Sequence, residues 1–105
     1  MDRMLNMLGL CARAGKLVTG EKACVQAIRA GNACVALLDG AAAANAVKTL
    51  SQACRTHGVA LVRTGEFALG DAIGKPGRMA AVVTDAGFAG RIIELSKADR
   101  ETGCQ

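Results

Sequence analysis

The side chains best placed to do chemistry in this sequence are His57, nearby Cys54 and the glycine-containing stretch from Gly65 to Lys75. His57 is the single histidine and the conventional general base near neutral pH. Cys54 stands three residues before it, a spacing that would suit a Cys–His nucleophile on a helix. That chemistry needs an ionisable thiol and a third group to orient the imidazole. Cys54 falls on the apolar side of a helical pattern, and the sequence shows no orienting partner for His57. His57 directly precedes Gly58, where a cation suits a helix C-terminus. Glu66, Asp71 and Asp85 show no paired-carboxylate spacing. The Gly65–Lys75 stretch fails as a phosphate loop. Gly70 and Gly74 enclose three residues where that pattern has four, and Pro76 stands where its hydroxyl belongs. The sequence therefore predicts no catalytic residue and no nucleotide hydrolysis.

Metal chemistry has as little support. Cys11, Cys24, Cys34, Cys54 and Cys104 are never closer than ten residues, and no Cys-x-x-Cys occurs. The first four lie among apolar neighbours and are expected to pack as small core hydrophobes in a reducing compartment. No metal or other cofactor is expected.

Electrostatics offers more. The 105 residues carry a net charge of +4, with 13 Lys and Arg against 9 Asp and Glu. That total alone is an ordinary solubility charge. Its distribution is informative: residues 1–31 hold Arg3, Arg13, Lys16, Lys22 and Arg29 against Asp2 and Glu21, while residues 76–105 balance to zero. Lys22, Gln26 and Arg29 recur at i, i+4 and i+7, a polar, mainly cationic stripe on one helix. Gly20-Glu21 opens that helix, and a helix N-terminus started by glycine can bring backbone N–H groups close to a phosphate. The aromatic residues are only Phe67 and Phe88, which argues against single-strand binding by base stacking.

The elements that must position these residues follow from hydrophobic period. Met4, Met7, Leu8 and Cys11 mark a first helix over residues 3–14, stopped by Gly15. A short strand is expected near Lys16–Val18, then a helix capped by Thr19 and closed by Gly31. The continuous apolar run 33–38 predicts a strand covered on both faces. A helix follows over residues 43–57, with Val47, Leu50, Cys54 and His57 on one face and Lys48, Gln52 and Arg55 on the other. A strand at 59–62, a short helix capped by Thr64, a turn at Pro76-Gly77, a strand at 79–83 and a helix capped by Asp85 complete the chain. The pattern predicts one domain over 1–97, a three-layer α/β/α sandwich with a mixed sheet of about four strands, and a polar tail at 98–105. No run is long enough to span a membrane, and Met1-Asp2-Arg3 does not open a signal peptide, so a cytoplasmic protein is expected.

The order of the motifs Leu8-Gly9-Leu10-Cys11-Ala12-Arg13-Ala14-Gly15-Lys16, Thr19-Gly20-Glu21, Leu37-Leu38-Asp39, Leu69-Gly70-Asp71-Ala72-Ile73-Gly74-Lys75 and Val82-Val83-Thr84-Asp85-Ala86-Gly87-Phe88-Ala89 resembles the L7Ae/L30e-type ribosomal-protein superfamily that binds kink-turn RNA. More narrowly it resembles the bacterial YlxQ-like branch, over about residues 4–96. The resemblance implies the same sandwich. It also implies an RNA site in two parts, the start of the second helix and the loop before the last strand. On this sequence these supply Lys16, Gly20, Glu21, Lys22, Gln26 and Arg29, then Lys75, Pro76, Gly77 and Arg78. The family signature there is Gly-x-Asn-Glu with a lysine three residues on. Gly20 matches, but Lys22, Ala23 and Gln26 replace the Asn, Glu and Lys. Losing one good base contact forfeits about 1–3 kcal/mol of discrimination. The resemblance thus implies a monomeric, ribosome- or translation-associated binder of rRNA or other structured RNA, with weakened base readout. The alternative is a protein-interaction module on the same fold that has lost kink-turn binding.

Overall fold

The structure, a computed structural model, describes residues 3–103 and the side chains of residues 3–97. Five helices and four strands alternate: α1 (Arg3–Arg13), β1 (Leu17–Thr19), α2 (Glu21–Arg29), β2 (Val35–Leu38), α3 (Ala44–His57), β3 (Ala60–Arg63), α4 (Ala68–Ile73), β4 (Ala80–Val83) and α5 (Ala86–Gly103). The sheet order is β1-β4-β2-β3. β2 pairs with β3 in parallel, while β4 runs antiparallel to both β1 and β2, so the sheet is mixed as expected.

Period-two alternation splits the two central strands between two cores. Val35 and Leu37 join Ala81 and Val83 on one face, packed on Met4, Leu8, Leu69, Ile73 and Ile92 of α1, α4 and α5. Ala36 and Leu38 join Ala80 and Val82 on the other, packed on Cys24, Ile28, Leu50 and Cys54 of α2 and α3. Every residue of β2 and β4 is buried, which is why their sequence is apolar without alternation. The result is the three-layer α/β/α sandwich. Cys11, Cys24 and Cys54 are buried in it and Cys34 is half-buried. The thiols of Cys11 and Cys24 face the Lys16 and Val18 carbonyls at 3.3 and 3.5 Å. Cys104 lies outside the described residues.

Four details differ from the sequence expectation. Thr19 does not cap α2. It is still paired in β1, opposite Ala81, and the chain stays extended until Gly20, whose N–H donates to Ala80 O at 3.1 Å. Thr64 does not cap α4, because its buried hydroxyl is drawn to Asp39 Oδ1 at 3.2 Å and the helix starts only at Ala68. His57 is exposed, not inward, at the last turn before the left-handed Gly58. The backbone of α5 continues to Gly103, where a polar tail is expected from residue 98. Asp85 does cap α5 as expected, accepting the Phe88 N–H at 2.9 Å.

Candidate nucleic-acid interface

Gly20 starts α2 with φ 96° and ψ 139°, a conformation that essentially only glycine adopts. The first intrahelical bond is Cys24 N–H to Gly20 O, 2.9 Å, and no side chain caps the helix. The N–H groups of Glu21, Lys22 and Ala23 therefore have no intrahelical acceptor, and the positive end of the helix is open.

The loop before β4 is folded onto this point. Lys75-Pro76-Gly77-Arg78 has the pattern of a type II turn: Pro76 second, Gly77 third with φ 90°, and Arg78 N–H donating to Lys75 O at 3.2 Å. The turn is seated on buried Gly70. A Cβ there would fall 2.7 Å from Lys75 O, 3.1 Å from Gly77 N and 3.3 Å from Arg78 N. Only hydrogen at that position allows the loop to lie so close. Lys75 N–H also closes α4 on Gly70 O at 2.9 Å. The seated loop carries Arg78 across to α2, where its Nη1 lies 3.5 Å from the place a Cβ on Gly20 would occupy. Among the described residues, neither Lys22 nor Lys75 nor Arg78 is paired with a carboxylate.

A buried carboxylate sets the height of α4 and hence of the loop. Asp39, at the end of β2, is fully buried. It accepts N–H bonds from Ala41 (2.9 Å), Phe67 (2.7 Å) and Leu69 (3.0 Å), besides the Thr64 hydroxyl. Burial alone would raise its pKa. The bonds from Ala41, Leu69, Phe67 and Thr64 outweigh that and hold it below the ordinary 3.8. Phe67, held by this carboxylate, is a left-handed non-glycine residue with φ 62° and is 65% exposed. The neighbouring N–H of Asp39 donates to Met79 O at 2.8 Å, which ties the same position to the end of the loop.

The structure brings Arg78 of the Lys75–Arg78 turn to Gly20, at the start of the helix that carries Glu21 and Lys22, and it separates the other two expected cations. Lys16 precedes β1, roughly 13 Å of extended chain from Gly20, with its carbonyl held by Thr84 N–H and Oγ1 at 3.0 and 3.2 Å. Arg29 ends α2, about 12 Å along the helix from Glu21, and lines a groove with α3 instead. Gln26 lies between, exposed on the outer stripe. Arg13, not expected at the site, lines a 410 Å³ cleft between α1, β1 and α4 together with Thr19 and Lys75. Its signals in the sequence are its charge at the end of α1 and its place in the Leu8–Lys16 motif.

A family model described as the ribosomal protein L7Ae/L30e/S12e/Gadd45 family matches residues 2–93. The chain belongs to this family. Within it, the chain is similar to the RNA-binding protein YlxQ of Bacillus subtilis, 38% identical over 90 residues, which cover 85% of this chain and 90% of that protein. It is 32% identical over 95 residues to the RNA-binding protein YlxQ of Enterococcus faecium, covering 90% of this chain and 91% of the relative. Among solved structures, a protein of unknown function from Bacillus halodurans superposes with TM-score 0.89 at 34% identity, covering 92% of this chain and 99% of that one. The Giardia lamblia 15.5 kD RNA-binding protein shares this chain's fold at TM-score 0.73 and 21% identity, covering 90% of this chain and 84% of that one.

Proposed function

We propose that this chain binds structured RNA of the kink-turn kind, in the cytoplasm and in the setting of the ribosome or translation, and performs no chemistry on it. The observation that carries the reading is the approach of the Arg78 guanidinium to Gly20, which starts α2 without a side-chain cap. A phosphate placed there meets free backbone N–H groups, the helix dipole and a planar cation at once. Lys22 and Lys75 extend the same positive field to flanking phosphates. Membership of the family and the names of its YlxQ relatives support RNA as the ligand.

Base readout is weaker than the family signature would give. Ala23 offers no donor or acceptor where the signature has Glu, and Lys22 stands in place of Asn. Phosphate contacts position an RNA, whereas base contacts specify it. The protein is therefore expected to prefer a kink-turn over a plain duplex by a small factor, with most affinity electrostatic. Titration of both RNAs at low salt tests this. Stronger binding to the kink-turn supports the proposal, and equal, very weak binding to both refutes it.

A further inference from the structure

Two helices on one face of the sheet carry the same cationic ladder. Lys22, Gln26 and Arg29 on α2 repeat as Lys48, Gln52 and Arg55 on α3, with identical residue types and spacing, and all six are exposed. β1 and β2 both run antiparallel to β4 and hence parallel to each other. Each strand leads into its helix on the same face, so α2 and α3 run in the same sense. The groove between them shows the matched ends: Arg29 from the end of α2 shares it with Thr56 and His57 from the end of α3, and Val25 shares it with Thr49 and Gln52 further back.

Acidic residues are sorted away from this face. α3 has none in 14 residues, α2 has only Glu21 in its first turn, and Asp39 between them is buried. Arg63 adds to the same side, because its register partner Leu38 packs on the α2–α3 core. The opposite layer mixes signs, with Asp71 on α4 and Arg91 paired to Glu94 at 3.7 Å on α5. A surface built only for solubility intersperses both signs. Two parallel cationic rows on packed helices, roughly 8–10 Å apart, suit an extended polyanion and not one small anion. The glutamines between the cations add uncharged donors for phosphate and sugar oxygens.

We infer that the α2–α3 face is a second RNA contact, a two-railed track for the backbone of a double-helical stem adjoining the segment held at Gly20 and Arg78. This rests on the RNA-binding reading above. The test pairs Lys48→Gln/Arg55→Gln with Arg78→Ala, each titrated against a kink-turn RNA with a long flanking stem and against the same kink-turn with the stem trimmed. Glutamine already occupies two positions of these ladders, so the double variant should keep the wild-type melting temperature. It should lower the log-affinity against log-salt slope for the stemmed RNA by about 2 and leave the trimmed RNA unaffected. A wild-type slope and affinity for the stemmed RNA would overturn the inference. If Arg78→Ala weakens both RNAs while the double variant changes neither, the inference falls alone. If the wild-type protein binds neither RNA, the RNA-binding reading falls and takes this one with it.

Discussion

Arg78 Nη1 lies 3.5 Å from where a Cβ on Gly20 would sit, although 58 positions separate the two residues. This approach brings the two halves of the candidate interface together, and each half depends on a glycine. Gly20 permits the φ of 96° that ends β1 and starts α2. Gly70 permits the loop to lie low enough for Arg78 to reach.

Gly20→Ala should therefore act on fold and function together. A side chain at this φ costs about 1–3 kcal/mol, while the new Cβ itself would meet the guanidinium only in ordinary contact at 3.5 Å. Relief of the φ strain moves the backbone that holds the first N–H groups of α2. Urea unfolding should show the loss, and RNA affinity should fall with it. Arg78→Ala should separate the two effects, keeping the wild-type unfolding midpoint because Arg78 is exposed while weakening RNA.

Gly70→Ala meets backbone, not a flexible side chain, at 2.7 Å. The loop must move, with an expected loss of about 1–3 kcal/mol as for overpacking. Thermal unfolding measures the loss. RNA binding should drop further than with Gly9→Ala, whose Cβ meets Ala72 O at 3.0 Å on the α1–α4 seam instead.

Asp39→Asn replaces an acceptor of four hydrogen bonds by a group with two donors. The expected loss is about 1–3 kcal/mol for each buried N–H left without its acceptor. The native pKa is lowered from 3.8. The carboxylate thus contributes stability that is complete above that value and is lost as pH falls through its native value. The stability gap between wild type and Asp39→Asn, measured by urea unfolding across pH, should be constant near neutrality and shrink below about pH 4.

Thiol reactivity should follow burial. Burial, with the Asp85 charge adding, raises the Cys11 pKa to about 11. Burial, with Cys54 adding, raises that of Cys24 to about 12, and burial raises Cys54 as well. Since the thiolate is the nucleophile, iodoacetamide at neutral pH should modify these three slowly in the native chain and rapidly in denaturant. Peptide mapping reads the order. Fast native labelling of Cys54 would revive a Cys–His chemistry with His57.

Much of the fold is legible in the sequence because its signals are local. The helix stops at Gly15, Gly31 and Gly58 coincide with three left-handed glycines, and the unbroken apolar run at 33–38 announces a strand covered on both faces. The starts of α2 and α4 are not legible, since threonine at a helix start is a local signal that distant partners override. Thr19 is claimed by a strand pairing with Ala81, and Thr64 by a carboxylate 25 residues away. The candidate interface divides in the same way. Gly20, Lys22 and the Pro76-Gly77 turn carry local signatures. The approach of Arg78 to Gly20 depends on how α4 is seated against Asp39, and no spacing encodes that. The same three-dimensional packing removes Lys16 and Arg29 from the point where the loop and α2 meet, and brings Arg13 to the cleft beside Lys75.

The most direct measurement is a salt titration of kink-turn RNA binding by the wild-type protein and by Arg78→Ala. If Arg78 holds a phosphate over the start of α2, the variant should bind more weakly at every salt concentration and its log-affinity against log-salt slope should be shallower by about 1. Identical slopes and affinities for the two proteins would contradict the account.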